Sequence, residues 1–448
     1  MQVVGKIFLS NRLVERLGIN VQPLIKVRAG CLVVTTEMVV TPDNRTTYML
    51  SPALAQALYI HRQKRLLIRY DYENAMLHVG PTIGIFATGL PRRGYYEPTS
   101  IGAELIFLSN ISNTMPGQIY IFTPTSINWD NLTVRGYSYR HSNSGKGTWI
   151  SSLYPLPDVV YDRVSTRTGE AREQIRNTKI KLMQQPYLKY FNPSFLNKWK
   201  VHEMLLTNPW LHKHLPETRP LTTENLEAML KKHKTLYVKP SNGSLGLGII
   251  RVTQDQKGTL HYLVHRTKRF RSSAESAADF MTKTRKIRAD KPYIVQEGID
   301  IATYHGSPFD IRIIFQKNRY GQWQIGKKFA RVAARGSSVS NLSSGGKALP
   351  TKIIMRAMFR KADLIEEKNK QIKEVCCQVA KTIEKVSQMT YGELGLDLGF
   401  DKNGHIWLIE VNSKPRKTTQ AELSKIIMRN AFKRPLEFST YLAGFKFK

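Results

Sequence analysis

Asp397, Glu410 and Asn412 are oxygen-bearing side chains whose spacing could hold a hard cation. The apolar runs Leu394–Phe400 and Ile406–Val411 flank Asp401-Lys402-Asn403-Gly404, a turn-forming tetrad, so the stretch predicts a strand hairpin. Glu410 and Asn412 lie two apart and share a strand face. Asp397 falls almost opposite them if the hairpin pairs about its turn. Two carboxylates and an amide suit Mg²⁺ or Mn²⁺, with water and phosphate oxygens completing the shell. A solvated strand face is the alternative. Glu-Val-Asn inside an otherwise apolar strand weighs against it, because lone carboxylates among apolar neighbours are costly.

Leu236–Val252, LYVKPSNGSLGLGIIRV, offers a second chemistry. A short strand ends at Lys239-Pro240, a glycine-rich loop carries Gly243, Gly246 and Gly248, and Ile249–Val252 reads as another strand. Phosphate loops of the Walker or Rossmann kind open a helix. This loop opens a strand, so it predicts a hairpin flap. Its glycines would let backbone N–H groups approach a triphosphate, and Lys239 at its base would supply a point charge. An ordinary glycine-rich turn stays open as an alternative. In Pro292–Phe315, Tyr293–Glu297 reads as a strand ending in polar residues, and Phe309–Phe315 as a strand with Asp310 and Arg312 on one face. That acid and base could be a plain structural ion pair or one edge of a nucleotide site.

The order of these motifs resembles the ATP-grasp superfamily: lysine–proline before a glycine flap, Gln-Glu on a hinge strand, Asp-Ile-Arg, then Asp and Glu-Val-Asn. The Asp397–Glu410 and Glu410–Asn412 spacings are similar to those of D-alanine ligases and glutamate ligases. The resemblance covers roughly residues 180 to 448. With Leu156–Arg163 and Tyr190-Phe-Asn-Pro193, the whole chain resembles the YheC/YheD group of endospore coat-associated proteins.

The resemblance implies ATP and Mg²⁺ as cofactors. It gives Lys239 to the α/β phosphates and Ser244, Gly246 and Gly248 to the flap above them. Gln296, Glu297 (chiefly through its backbone) and Ile299 would meet the adenine, and Asp310 the ribose. Arg312 and Arg331 would meet the γ-phosphate and the acyl substrate, with Asn341 resembling an asparagine of glutamate ligases. A second phosphate lysine is expected ahead of the flap. Lys198 and Lys200 are the candidates, and His202 falls at a third such position. Asp397, Glu410 and Asn412 would hold the metal. One departure is Ser413-Lys414-Pro415-Arg416, where such ligases often continue with Pro-Gly.

These motifs need rigid elements around them. The expected fold class is α+β or α/β: an ATP-grasp fold preceded by a pre-ATP-grasp α/β domain and a small N-terminal β-rich module. The expected boundaries are 1–78, 79–175 and 176–448, with a flap part at about 200–295 and a metal part at about 296–448. Ile83–Ala87 and Gln118–Phe122 read as buried parallel strands with a helical crossover near 98–112, and Pro155–Arg163 as a third strand. Thr223–Lys234, Ser273–Ala289 (with a capping box at Ser272–Glu275) and the amphipathic Asp363–Met389 read as helices.

Composition narrows the classes. The three cysteines have no disulfide or zinc spacing, which favours a reducing compartment. Cys376 and Cys377 read as small apolar residues on a core-facing helix, and His202, His212 and His214 as helix-surface residues. No apolar run reaches membrane-span length, and no signal-peptide core precedes Arg12, Glu15 and Arg16, so cytoplasmic synthesis is expected. The net charge is +34; residues 1–150 hold 15 basic and 8 acidic residues, so most of the excess falls beyond residue 150. Such charge attracts polyanions, an acidic polymer or spore coat components among them, unless it is only a solvated face. The leading expectation is an ATP- and Mg²⁺-dependent ligase joining a carboxylate to an amine. The rivals are a structural or ATP-binding coat protein without turnover, and a polyanion-binding module.

Overall fold

The computed structural model describes residues 2–61, 65–91, 97–141, 147–243, 247–265, 270–289, 291–334, 346–418 and 424–446. It is a mixed α and β protein built on four sheets. The first, a mixed six-stranded sheet, runs from Val3–Ser10 to Met76–Gly80 and has its own apolar core around Ile7, Leu9, Leu13 and Val27.

The second sheet has a parallel centre. Thr82–Phe86, fully buried, pairs in parallel with Gln118–Phe122 on one side and Val159–Asp162 on the other. Helix Ile101–Ser112 is the crossover between the first two, and the Ser100 hydroxyl caps it by accepting from the Ala103 N–H. Continuous apolar runs suit strands covered on both faces. The last helix, Lys425–Leu442, supplies Phe432, Leu436 and Phe438 to the core under this sheet, beside Ile83, Ile85 and Leu105.

The third sheet carries the flap. Thr235–Pro240 pairs antiparallel with Ile249–Gln254 and, on its other edge, with Tyr293–Glu297. Ser273–Ala289 is not one helix. Phe270–Ala274 is a strand paired with Leu260–His265, and two short helices follow, Ala277–Lys283 and Arg285–Arg288. Ladder pairing along the sheet edge outweighs the local helix signal. The cap moves to Ser276, whose hydroxyl accepts from the Asp279 N–H, while the Asp279 carboxylate accepts from the Glu275 N–H.

The fourth sheet holds the acidic hairpin. Glu393–Phe400 and Ile406–Asn412 pair antiparallel, and Ser307–Lys317 pairs with the outer edge of the first and with Trp323–Val332. The long helix Ala362–Ser387 packs Ile372, Val375, Cys376 and Val379 onto this sheet; Cys376 is fully buried and Cys377 half-buried. His214 is buried rather than surface: its Nδ1 lies 2.7 Å from the Ile406 carbonyl oxygen, and its ring stacks on His405. No described helix is long and apolar enough to cross a membrane.

Candidate functional site

The third and fourth sheets face each other across a cleft of about 2000 Å³, whose far wall comes from the second sheet's loops and helix Glu173–Met183. The acidic hairpin sits on its floor. Asp397 and Glu410 are direct cross-strand partners, and Asn412 lies opposite Gly395. The register slips after Asp397, so that Ile409 is the extra residue. All three oxygen-bearing side chains line the cleft. Asp397 is almost fully buried, whereas Glu410 keeps 28% of its side chain open.

The cations around them are ordered in two sets. Arg331 grips Asp310 with two bonds, Nε to Oδ1 at 2.6 Å and an Nη to Oδ2 at 2.8 Å, and also lies 2.9 Å from Asp397. Arg312 donates to Asp397 Oδ2 at 2.9 Å. Asp310 and Arg312 are therefore not each other's partners; each pairs with a residue on a neighbouring strand. Burial disfavours the Arg331 charge, but Asp397 and Asp310 outweigh it and hold the guanidinium well above its ordinary pKa. Arg312 Nε lies 2.5 Å from Asp397 Oδ1 but off hydrogen-bond alignment, so this buried oxygen has no aligned donor among the described residues.

The second set belongs to the flap. Lys198, at the start of helix Lys198–Leu206, lies 3.0 Å from a Glu410 oxygen and donates to the Gly243 carbonyl. Lys239 donates to Gln296 Oε1 at 2.6 Å, and Gln296 Nε2 donates in turn to Thr218 Oγ1. Burial pushes the Lys239 ammonium down to about 8, with Glu410 pulling up and Lys198 pushing down. Burial raises the Glu410 pKa, but Lys198 and then Arg312 and Lys239 more than offset it, so the carboxyl titrates below its ordinary value.

Gly248, Glu297 and Ile299 line the same cleft. Gly248 has φ +78°, and an added Cβ would sit 2.9 Å from the Tyr293 hydroxyl. Glu297 gives its N–H to the Glu217 carbonyl and accepts the Glu217 N–H on its carboxylate. Lys200 is exposed and absent from the lining, whereas Lys198 is present. His202 borders a small adjoining pocket. Ser244, Gly246 and Asn341 lie outside the described residues.

Sequence reasoning missed the groups that hold this floor in place. The Asn192 amide Nδ2 donates to the carbonyls of Glu393 and Ser413, and its Oδ1 accepts the Gly392 N–H, so one side chain clamps both ends of the acidic hairpin. Beneath, Glu393 accepts from Tyr161, Arg163 and Lys417, and Arg163 also pairs with Glu104, all within the interior. Lys414 and Lys179 share Asp162 and Glu170. Tyr161, Asp162 and Arg163 all fall in the Leu156–Arg163 motif; their charged partners lie in other elements, some more than 200 residues away, and only the motif's charge inside an apolar strand hinted at them.

The donor set is hard, two carboxylates and one amide, and together with the Asp397 oxygen that lacks an aligned donor it fits a divalent cation of the Mg²⁺ kind.

Comparison with known proteins gives three findings. A family model described as YheC/D-like ATP-grasp matches residues 187–442. Over 409 residues the chain is 28% identical to the endospore coat-associated protein YheD of Bacillus subtilis (strain 168), covering 89% of this chain and 86% of that one. It is 25% identical over 326 residues to YheC of the same organism, covering 72% and 87%. Among solved structures, the VanG D-Ala:D-Ser ligase from Enterococcus faecalis aligns with a TM-score of 0.47 at 14% identity, over 81% of this chain and 99% of that one. The D-cycloserine synthetase DcsG aligns with a TM-score of 0.46 at 10% identity, over 80% and 99%.

Proposed function

Because the chain belongs to the YheC/D-like ATP-grasp family, we propose that it is an ATP- and Mg²⁺-dependent ligase joining a carboxylate to an amine through an acylphosphate. The observation that carries this reading is one cleft lined by Lys239, Asp310, Arg312, Arg331, Asp397, Glu410 and Asn412. Asp397, Glu410 and Asn412 would hold the cation, which when bound neutralises phosphate charge and polarises the transferring group. Lys239, steadied by Gln296, binds the α/β phosphates, and Lys198 on helix Lys198–Leu206 adds a second charge beside them. Arg312 and Arg331, braced by Asp310 and Asp397, orient the γ-phosphate and the acid.

A carboxylate oxygen attacks the γ-phosphorus, and the bond to the ADP oxygen breaks. The amine nitrogen then attacks the acyl carbon, inorganic phosphate leaves, and the amine's proton passes to solvent. Positioning and charge neutralisation suffice for this sequence, and no protein nucleophile is needed. The relatives' names support a role with the endospore coat in a spore-forming cell. The test is ADP and phosphate release with a library of acids and amines. Release should require Mg²⁺, an acid and an amine together. ATP binding without release across the library would favour an ATP-binding coat protein instead.

Lys239 gives a pH signature. Its folded pKa of about 8 lies below the ordinary 10.5, so between these values the unfolded chain binds more protons. The contribution of this group to stability therefore rises across pH 8 to 10.5. A bound triphosphate would restore the proton. At pH 8.5, ATP binding should take up protons, read as a dependence of calorimetric heat on buffer ionisation enthalpy, and affinity should fall from pH 7.5 to 9. The Lys239→Ala variant should lose both effects. A variant with an unaltered pH profile would exclude Lys239 as the titrating phosphate ligand.

A further inference from the structure

We infer that the acid taken by this cleft is an acidic polypeptide, whose further carboxylates run along Arg167, Arg416 and Arg176 on the cleft wall. The inference rests on the ligase reading above. Its first support is charge left unmatched. Among the described residues, twelve cationic and five acidic residues line the cleft, and the buried Asp162 and Glu393 behind it pair with Lys179, Lys414 and Lys417, which leaves an excess of five. MgATP carries only about two net negative charges, so roughly three positive charges remain for another ligand.

These charges are not spread evenly. The carboxylates of Asp310, Asp397, Glu410 and Glu170 already face lysine or arginine within the protein. Arg312 and Arg331 are committed to Asp397 and Asp310. Arg176 and Arg416, both exposed, have no charged partner among the described residues, and neither does Lys291 at the cleft rim. Arg167 donates only to neutral oxygens, the Leu196 carbonyl at 2.6 Å and Asn242 Oδ1 at 3.5 Å. Its buried Nε has no hydrogen-bond acceptor among the described residues.

The three arginines belong to a track rather than to scattered surface. Arg167 shares the Asn242 amide oxygen with Asn197, next to the Lys198 that pairs with Glu410, so it starts at the edge of the metal floor. Its guanidinium lies over the Phe195 ring at 5.1 Å, and the Lys414 ammonium lies over the same ring at 5.1 Å. Arg416 follows two residues later, four beyond Asn412, and so within about 14 Å of that ligand along the chain. Arg176 lies on helix Glu173–Met183, whose Ile180 and Met183 are exposed beside it and line the cleft. Spaced guanidinium groups with apolar side chains between them fit a chain whose carboxylates recur along an organic backbone. Because the reaction consumes a carboxylate, a polycarboxylate supplies both the reacting group and its neighbours. A chain of phosphates would supply only the neighbours.

The experiment measures fluorescence anisotropy of labelled hexaglutamate, hexaglutamine and hexathymidylate on the full chain. It uses Mg²⁺ with a non-hydrolysable ATP analogue at fixed moderate salt. Hexaglutamate should bind at least about tenfold more tightly than hexaglutamine. The double variant Arg176→Gln with Arg416→Gln should loosen it about tenfold, with an unchanged melt and unchanged analogue affinity. Removing two exposed cations elsewhere, Lys26→Gln with Lys373→Gln, should change it less than twofold. Equal binding of the two peptides would overturn the inference. So would hexathymidylate binding more tightly than hexaglutamate and weakening in the same double variant, which would assign the track to nucleic acid. Equal weakening by both double variants would reduce the track to overall charge. Binding needs no turnover: tight hexaglutamate binding without ADP release on adding amines counts against the ligase reading alone.

Discussion

Replacing Glu410 by Gln should raise the dissociation constant of ATP in the presence of Mg²⁺ at least 10- to 100-fold, while leaving metal-free binding nearly unchanged. Even partners one step removed from a metal are commonly worth that much, and a direct ligand is worth no less. Glu410 is the better probe of the acidic floor because its structural part is small. Its one described ion pair, to Lys198 at 3.0 Å, is partly open to solvent, and such pairs contribute less than about 1 kcal/mol. Asp397 would be a poorer choice, since its loss strands Arg312, leaves Arg331 with Asp310 alone and confuses binding with folding. Turnover should fall by about 10²- to 10³-fold, the usual loss when one element of preorganised charge stabilisation is removed. Titration calorimetry with and without Mg²⁺ reads the first effect, and ADP release the second. Equal ATP affinity of variant and parent at saturating Mg²⁺ would remove Glu410 from the metal set.

Glu393→Gln should be the most damaging neutral replacement for stability. The carboxylate is fully buried and serves Arg163, Lys417, Tyr161 and Gln316 at once. Burial raises its pKa, but Lys417 and Arg163 more than reverse that and keep it ionised. Removing its charge leaves Lys417 without a carboxylate and Arg163 with Glu104 alone. Breaking a buried pair by one partner costs about 3–5 kcal/mol, or on the order of 10 °C in a unit of this size. Removing Lys417 as well, as Glu393→Gln with Lys417→Gln, should recover part of the loss, which a double-mutant cycle isolates. If scanning calorimetry places the single variant within a degree of the parent, the network is not the clamp its geometry indicates.

What is legible in the sequence and what is not divides along chain distance. The Asp397–Asn412 hairpin, the flap after Lys239 and the parallel pair Thr82–Phe86 with Gln118–Phe122 are short-range patterns, with apolar periodicity and turn residues adjacent. The helix expected at Ser273–Ala289 fails because its first residues complete a sheet edge, which no local propensity encodes. Asp310 and Arg312 are placed on one strand face correctly, but their partners, Arg331 and Asp397, come from neighbouring strands. Lys198 and Lys200 cannot be told apart from spacing; the helix turn brings Lys198, half-buried, to the cleft and leaves Lys200 exposed outside it. Asn192 falls in the Tyr190–Pro193 motif, but its role, like that of Glu393, is not legible there, since each is meaningful only against carbonyls and cations some 200 residues away.

The return of helix Lys425–Leu442 to the second sheet also sets an order of events during synthesis. The strands from Thr82 to Phe191 emerge early, but their core lacks Phe432, Leu436 and Phe438 until roughly 240 more residues have been made. At ribosomal speeds of 5–20 residues per second that interval is on the order of 10–50 s. During it the sheet exposes the apolar face that the helix will cover, while the flap strands Thr235–Pro240 and Ile249–Gln254 are already made and free to pair; the acidic hairpin is completed only just before the helix begins. The second sheet therefore waits longest for its cover, and a chaperone that shields that waiting face would govern how much protein matures.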